Sequence, residues 1–215
     1  MSWLRLLLLI LIARPLARLL TGADVIGAGR LPTKGPAIVA ANHNSHVDTL
    51  LLLALFPAQA LRRVRPVAAA DYFLANPIVS WFSRKIIGIV PVERHAAHGT
   101  DVLAPARAAL TAGDILVIFP EGTRGADGDD IGPLRSGVAR LAEAVPEAPV
   151  TPVWIQGAGR VLPKGGAVPV PLTCCVVVGE PIAWRGDRDG FMETLKAALE
   201  ALHAQAPPLR WRDGE

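Results

Sequence analysis

Ala40-Ala41-Asn42-His43-Asn44-Ser45-His46-Val47-Asp48 lies between two apolar runs, Ala37-Ile38-Val39 and Thr49 to Phe56. The pattern predicts a buried strand, a turn and a helix. Ala37 to Ala41 has the length and apolarity of a short core strand, and Asn42 to Ser45 are turn formers. Ser45-x-x-Asp48 ahead of an apolar run is a capping box, so Ser45 caps a helix from His46 to about Phe56. His43 and Asp48 are separated by about 500° around a helix, too far to share a helical face. On a strand their odd spacing would put them on opposite faces. Only a turn lets the two side chains meet. A carboxylate can then hold one imidazole nitrogen and leave the other to accept a proton, the arrangement of a general base.

The 215 residues suit one sizeable domain with a real core. Hydrophobic residues make up 51% of the chain and mean hydropathy is +0.36, high for a freely soluble protein. The formal charge is only +3 and a single tyrosine is present, so no basic stripe with interleaved aromatics argues for nucleic acid. A mildly basic, apolar chain suits an anionic membrane surface better. Cys174 and Cys175 are neighbours in an apolar run, where strand geometry points them to opposite faces, so they are poor disulfide partners. Unpaired cysteines fit a reducing compartment.

Met1 to Leu20 is apolar but interrupted by Arg5, Arg14, Pro15 and Arg18. Its uninterrupted core, Leu6 to Ala13, would cover about 12 Å as a helix, well short of a ~30 Å hydrocarbon layer. Residues 1–22 are therefore expected to form a membrane-associating helix that inserts partly or lies at the interface, with Arg5, Arg14 and Arg18 reaching lipid phosphates. The alternative is a helix packed on the core. Residues 23–206 form the domain proper, and residues 207–215 read as a loose tail. Within the domain, Asp24 to Lys34 predicts an edge strand and a Gly/Pro turn. Further strands are expected at Val64–Ala70, Ile86–Val92, Ile115–Phe119, Val150–Ile155 and Thr173–Val178. Helices are expected at about Pro77–Arg84, Thr100–Thr111, Ser136–Val145 and Phe191–His203, with an acidic Gly-rich loop from Asp127 to Pro133. Alternating strands and helices predict an α/β class, a single-domain mixed sheet flanked by helices.

Three polar clusters each follow the carboxyl end of an expected strand: His43 with Asp48, Arg94, and Glu121-Gly122-Thr123-Arg124. Ligands bind beyond the carboxyl ends of strands in open α/β sheets, so the clusters point to one site. Arg94 and Arg124 are always charged and match a phosphate with paired hydrogen bonds. Glu121 could hold an arginine or accept a hydroxyl, and Gly122 and Gly125 allow close approach of the backbone to a ligand. With no Gly-x-Ser-x-Gly elbow, direct attack of a substrate hydroxyl on an activated acyl group is the simplest chemistry.

These motifs resemble the lysophosphatidic acid acyltransferase family, the glycerolipid acyltransferases with an NHx4D motif. Asn42 to Asp48 resembles its first motif, Gly88-Ile89-Val90-Pro91-Val92-Glu93-Arg94 its second, Phe119 to Arg124 its third and Val150 to Ile155 its fourth. The likeness runs from about Val25 to Pro181, with Gly125 standing where many relatives carry serine. The resemblance implies a glycerolipid-acyltransferase-like fold and transfer of a fatty acyl group from acyl-CoA or acyl-carrier protein to a lysophospholipid, 1-acylglycerol 3-phosphate above all. It implies His43 and Asp48 as the catalytic pair and Arg94, Glu121, Gly122, Thr123 and Arg124 as substrate-binding residues. It implies no cofactor, no metal and no covalent acyl-enzyme, and it implies a membrane-associated N-terminus. The expected location is the cytoplasmic face of the inner (plasma) membrane.

Three rival readings remain open at this point. His43, His46 and Asp48, with His95-x-x-His98, supply potential ligands for a metal-dependent hydrolase, although His95 and His98 sit in an expected loop. A non-catalytic lipid-binding protein is the second. The third is an acyltransferase with another acceptor: glycerol 3-phosphate, another lysophospholipid or an amino-acid lipid.

Overall fold

The computed structural model describes residues 3–45, 47–70, 81, 83–93, 100–122, 131–162 and 170–208. Strands β1 (Asp24–Ile26), β2 (Ala37–Ala41), β3 (Val64–Ala69), β4 (Val90–Val92), β5 (Ile115–Ile118), β6 (Val150–Gln156) and β7 (Cys175–Val178) form one seven-stranded sheet in the order β1-β7-β6-β2-β5-β3-β4. The pairs β2–β6, β2–β5, β5–β3 and β3–β4 are parallel, whereas β6–β7 is antiparallel. The mixed α/β sheet expected from the sequence is therefore present, and β1 is an edge strand as expected. The carboxyl ends of β2, β4 and β5 lie on one edge of the sheet.

Strand β2 is the central strand and buried throughout. Its alternation divides the core: Ala37, Val39 and Ala41 face one layer, Ile38 and Ala40 the other. The first layer contains the N-terminal segment, α3 (Val47–Leu55), α4 (Ala58–Leu61) and α7 (Ala158–Val161); the second contains α5 (Ala104–Thr111), α6 (Gly137–Ala144) and α8 (Arg188–Gln205). Helices on both faces explain why the central strands read as apolar runs with no polar alternation. Cys174 and Cys175 are not joined in a disulfide and fall in different apolar clusters, as their adjacency in the sequence requires.

The N-terminal segment is a rod of α1 (Trp3–Leu8), a π-helical stretch Leu9–Ala13 and α2 (Arg14–Thr21). Leu9 and Ala17 are buried in the core, with Leu6, Ile10, Ala13 and Leu20 packed beside them. Arg5 is buried as well. Its guanidinium donates to the carbonyls of Val64 at 2.8 Å, Ile86 at 2.9 Å and Ile87 at 2.9 Å. Burial first, and then the charge of Arg65, draw its pKa down to about 10. Arg5 thus cannot reach lipid phosphates, which corrects the role expected for it; three main-chain acceptors inside the domain hold it instead. The opposite side of the rod is apolar and open. Trp3 is 73% exposed, Leu11 66% and Leu19 74%, with Leu7, Ile12 and Leu16 between them. Among the described residues no helix is long and apolar enough to cross a membrane.

Arg5 also accounts for the largest departure from the expected strands. Ile86 to Val92 was expected to be one buried strand. Ser83–Ile87 is instead π-helical, and only Val90–Val92 joins the sheet, half-buried. Gly88, at φ +77°, breaks the run in the left-handed region, and a Cβ there would lie 2.6 Å from Arg5 Nη2. With the Ile86 and Ile87 carbonyls committed to Arg5, those residues cannot extend the ladder. The edge strand expected from Asp24 likewise stops at Ile26, because Gly27 turns the chain at φ +76° into a short 3-10 turn, Ala28–Arg30. The helix expected from Thr100 begins at Ala104, with a proline in its first turn. The short helix α7 was not foreseen. The expected helix Pro77–Arg84 falls mostly outside the described residues, as do Asp127 to Asp130 of the acidic loop and residues 209–215 of the tail.

Arg5→Ala is expected to lower the free energy of unfolding by about 3–5 kcal/mol, since it strips the partner from two buried carbonyls and a part-buried one. Arg18→Ala, on the exposed side of α2, should stay within about 0.5 kcal/mol of wild type. Denaturant melts of both variants check this, and a wild-type midpoint for Arg5→Ala would remove the anchor from the account.

Candidate active site

The carboxyl end of β2 is fixed by a side chain acting as backbone. Asn42, buried, donates through Nδ2 to the Ile155 carbonyl at 2.8 Å and accepts through Oδ1 from the Ile155 N–H at 2.6 Å. This pair continues the β2–β6 ladder one residue past the strand while the main chain turns away. The turn from His43 to Ser45 then closes on Asp48, in the first turn of α3. Asp48 Oδ2 accepts from the N–H of Asn44 and of Ser45, each at 2.8 Å, and lies 2.9 Å from His43 Nδ1. Ser45 Oγ accepts from the Val47 N–H at 3.3 Å and donates to the Leu162 carbonyl at 3.0 Å. The cap expected from Ser45 and Asp48 is formed, and the same carboxylate holds the histidine.

Asp48 is fully buried, whereas the His43 side chain is 18% exposed. An ionised carboxylate only accepts hydrogen bonds, so a neutral imidazole held here would carry its proton on Nδ1 and its lone pair on Nε2. Phe119, the residue after β5, stacks on the imidazole with ring centroids 4.1 Å apart and planes 21° from parallel. The ring is thus held at one edge by a carboxylate and across one face by a benzene ring. His43 borders a cavity of about 370 Å³ at the carboxyl edge of the sheet. Val67, Ala69, Val92, Leu103, Ile118 and Val138 give this cavity an apolar wall, and Glu93, Gly122, Arg135, Ser136 and Arg140 add polar groups.

Glu121 reaches the turn that carries His43. It is buried, and its Oε1 accepts from the His43 N–H at 3.1 Å. The Gly132 N–H also donates to its carboxylate. Among the described residues the carboxylate faces these two main-chain donors, and it ties the turn after β5 to the turn that carries His43. Burial, assisted by the nearby charge of Asp48, raises its pKa against the lowering effect of the two N–H donors. Gly122, at φ +72°, follows in a turn closed by its N–H to the Phe119 carbonyl at 3.0 Å.

The structure thus brings together His43, Asp48, Glu121 and Gly122. Arg94, Thr123 and Arg124 lie outside the described residues, as do His46, His95 and His98. Asn42, Phe119 and Arg135 belong to the same site and were not singled out from the sequence. Asn42 and Phe119 stood within the quoted motifs, but their contacts cross between strands and leave no spacing to read. Arg135 gives only the signal of a cation eleven residues past Arg124 in the chain.

Fold and site together define an α/β domain with a buried carboxylate–histidine pair at the carboxyl edge of its sheet, opening on an apolar cavity. The model of the Acyltransferase family matches residues 22–156, and the chain belongs to that family. It is 29% identical over 144 residues to the chloroplastic 1-acyl-sn-glycerol-3-phosphate acyltransferase BAT2 of Brassica napus, covering 66% of this chain and 39% of that protein. It is 27% identical over 134 residues to the human 1-acyl-sn-glycerol-3-phosphate acyltransferase alpha, covering 60% of this chain and 44% of that protein. The chain thus spans less than half the length of these relatives. The fold is also that of the 1-acyl-sn-glycerophosphate (LPA) acyltransferase PlsC from Thermotoga maritima, with a TM-score of 0.69 at 24% identity over 92% of this chain and 79% of that one.

Glu121→Gln separates positioning from binding. The raised pKa means that the native state holds the Glu121 proton more tightly than the unfolded chain does. Ionised Glu121 therefore opposes folding near neutral pH, and that penalty fades as pH falls through the raised native value. Glutamine removes that charge but keeps one acceptor oxygen for two N–H donors, so the two effects oppose each other and the melting temperature should stay close to that of wild type at neutral pH. Turnover should fall by about 10-fold to 10²-fold through misplacement of His43, with the acceptor KM little changed. A rise confined to KM would return Glu121 to the substrate.

Proposed function

We propose that this chain moves a fatty acyl group from acyl-CoA or acyl-carrier protein to the free hydroxyl of a lysophospholipid, first of all 1-acylglycerol 3-phosphate, to give phosphatidic acid. The observation that carries this reading is the His43 imidazole, bound through Nδ1 to buried Asp48 and bordering an apolar cavity. The names of the relatives support the same acceptor.

In this reading His43 Nε2 removes the proton from the acceptor hydroxyl as its oxygen attacks the thioester carbonyl carbon. The tetrahedral intermediate collapses with loss of the thiolate, which takes the proton back from the imidazolium. An ester bond forms and a thioester breaks; no metal, cofactor or acyl-enzyme is needed. Asp48 keeps the ring in the Nδ1–H tautomer and stabilises the imidazolium. Arg94, Thr123 and Arg124 bind the acceptor phosphate. Arg94 follows Glu93 in the chain and Thr123 follows Gly122, and both of those neighbours border the cavity.

The membrane part of the reading rests on the exposed face of the N-terminal rod. Each large apolar side chain moved from water into lipid contributes roughly 1.5–3 kcal/mol before ordering terms. Trp3, Leu7, Leu11, Ile12, Leu16 and Leu19 offer six, with exposed Arg18 beside them to meet lipid phosphate. The rod lies in the interface, on the cytoplasmic face of the inner (plasma) membrane. Deletion of residues 1–20 would be a poor test, because it would also remove Arg5, Leu9 and Ala17 from the core. Leu11→Asp with Leu19→Asp should instead weaken co-sedimentation with anionic vesicles and leave the melting temperature unchanged. Undiminished vesicle binding would remove the rod as the membrane contact.

A labelled acyl thioester offered with a panel of acceptors tests the reaction itself. Lysophosphatidic acid should be acylated ahead of glycerol 3-phosphate, other lysophospholipids and amino-acid lipids. His43→Ala should lower turnover by about 10²–10⁴-fold while the protein still folds. Activity should survive exhaustive chelation. A His43→Ala variant retaining more than about a tenth of wild-type turnover would exclude the base assignment, since a general base supplies at least about 10². Activity lost to chelator and restored by zinc would favour metal-dependent hydrolysis.

A further inference from the structure

We infer that Arg135 binds a substrate phosphate, in addition to the roles proposed for the two arginines of the sequence motifs. The inference rests on the acyl-transfer reading for its substrate but on separate geometry for its site. Arg135 borders the same cavity as His43 and Gly122. Its main-chain N–H donates to the Pro120 carbonyl at 2.8 Å, so the residue is pinned to the turn after β5. Its side chain lies across Gly122: a Cβ on that glycine would stand 2.6 Å from Arg135 Nε and 2.8 Å from Arg135 Cδ. Gly122 therefore has two reasons to be glycine, its φ of +72° and the arginine that occupies the place of its missing side chain.

The charge at this mouth favours an anion. Arg135 and Arg140 are the cations among the described residues that border the cavity, against Glu93 as the one carboxylate. Asp101, outside the wall, lies 2.6 Å from Arg107 and 3.9 Å from Arg140, so it offsets part of the Arg140 charge. Among the described residues no carboxylate pairs with Arg135. An exposed guanidinium, anchored at its main chain and laid along a bare glycine, is placed to grip a phosphate by two parallel N–H bonds. Both substrates of the proposed reaction carry one: the acceptor its phosphomonoester, the donor the phosphate of its pantetheine arm.

Arg135→Ala and Arg135→Lys test this in kinetics and in binding. For Arg135→Ala, a melting temperature like that of wild type and a KM raised at least 10-fold for one substrate are expected, with kcat within about 3-fold. Arg135→Lys should recover part of the loss, as a point charge without the fork. A rise for lysophosphatidic acid assigns the acceptor phosphate. A rise for acyl-CoA or acyl-carrier protein, absent with an acyl thioester of N-acetylcysteamine, assigns the donor phosphate. Inorganic phosphate, titrated by calorimetry, should bind wild type more tightly than Arg135→Ala. In a double-mutant cycle, Gly122→Ala should raise the same KM less in the Arg135→Ala background than in wild type. Unchanged KM values for both substrates in an active Arg135→Ala variant would overturn the inference and leave the acyl-transfer reading standing. Arg135-dependent phosphate binding by a wild type with no acyl-transfer activity would do the reverse.

Discussion

One oxygen atom, Asp48 Oδ2, organises the centre of this molecule. It accepts from two successive main-chain N–H groups and faces the imidazole of the residue just before them. A helix must begin with unpaired N–H groups, and a capping carboxylate is the usual remedy. Here the remedy is also the electrostatic partner of a histidine. The turn cannot open without stripping the carboxylate of its donors, and the histidine cannot turn away without leaving a buried anion short of a partner, a loss of several kcal/mol in general. Helix initiation and imidazole orientation are therefore one event.

The rest of the edge is built around that turn. Asn42 fastens it to β6 from one side and Glu121 from the other, each by main-chain hydrogen bonds that reach across strands. Parallel pairing of β2 with both β5 and β6 makes this possible, since it brings their carboxyl ends to the same edge. Two arginine–glycine packings recur at the margins. Arg5 lies over Gly88 and draws Ile86 and Ile87 out of the sheet, whereas Arg135 lies over Gly122 and turns toward the cavity. In both cases a left-handed glycine leaves room for an arginine side chain laid across it.

Much of this was legible in the sequence, for identifiable reasons. Ala37 to Ala41 is buried on both faces, so its apolarity was continuous and its length marked a strand. The meeting of His43 with Asp48 followed from spacing alone, once helix and strand were excluded. The alternation of Cys174 and Cys175 needed only the strand period. The failures occurred where tertiary contacts overrode local pattern. Ile86-Ile87 has strand-like residues, but a guanidinium from 81 residues earlier takes the Ile86 carbonyl. Arg5 itself read as a lipid-facing charge, because nothing in Met1 to Leu20 announces three waiting acceptors. The resemblance placed Glu121 among the substrate-binding residues and gave no sign of its hold on the His43 turn. Its partner is a main-chain N–H, which leaves no mark in a sequence.

The central claim is that Asp48 holds His43 as the Nδ1–H tautomer, with the Nε2 lone pair free to take a proton. Nitrogen-15 NMR of the histidine-labelled protein reads that state directly, with His43→Ala identifying the signal. A protonated Nδ1 with a downfield, hydrogen-bonded proton is expected at neutral pH in wild type, lost in Asp48→Asn. A wild-type His43 with its proton on Nε2, or a rapidly averaging ring that Asp48→Asn does not alter, would contradict it.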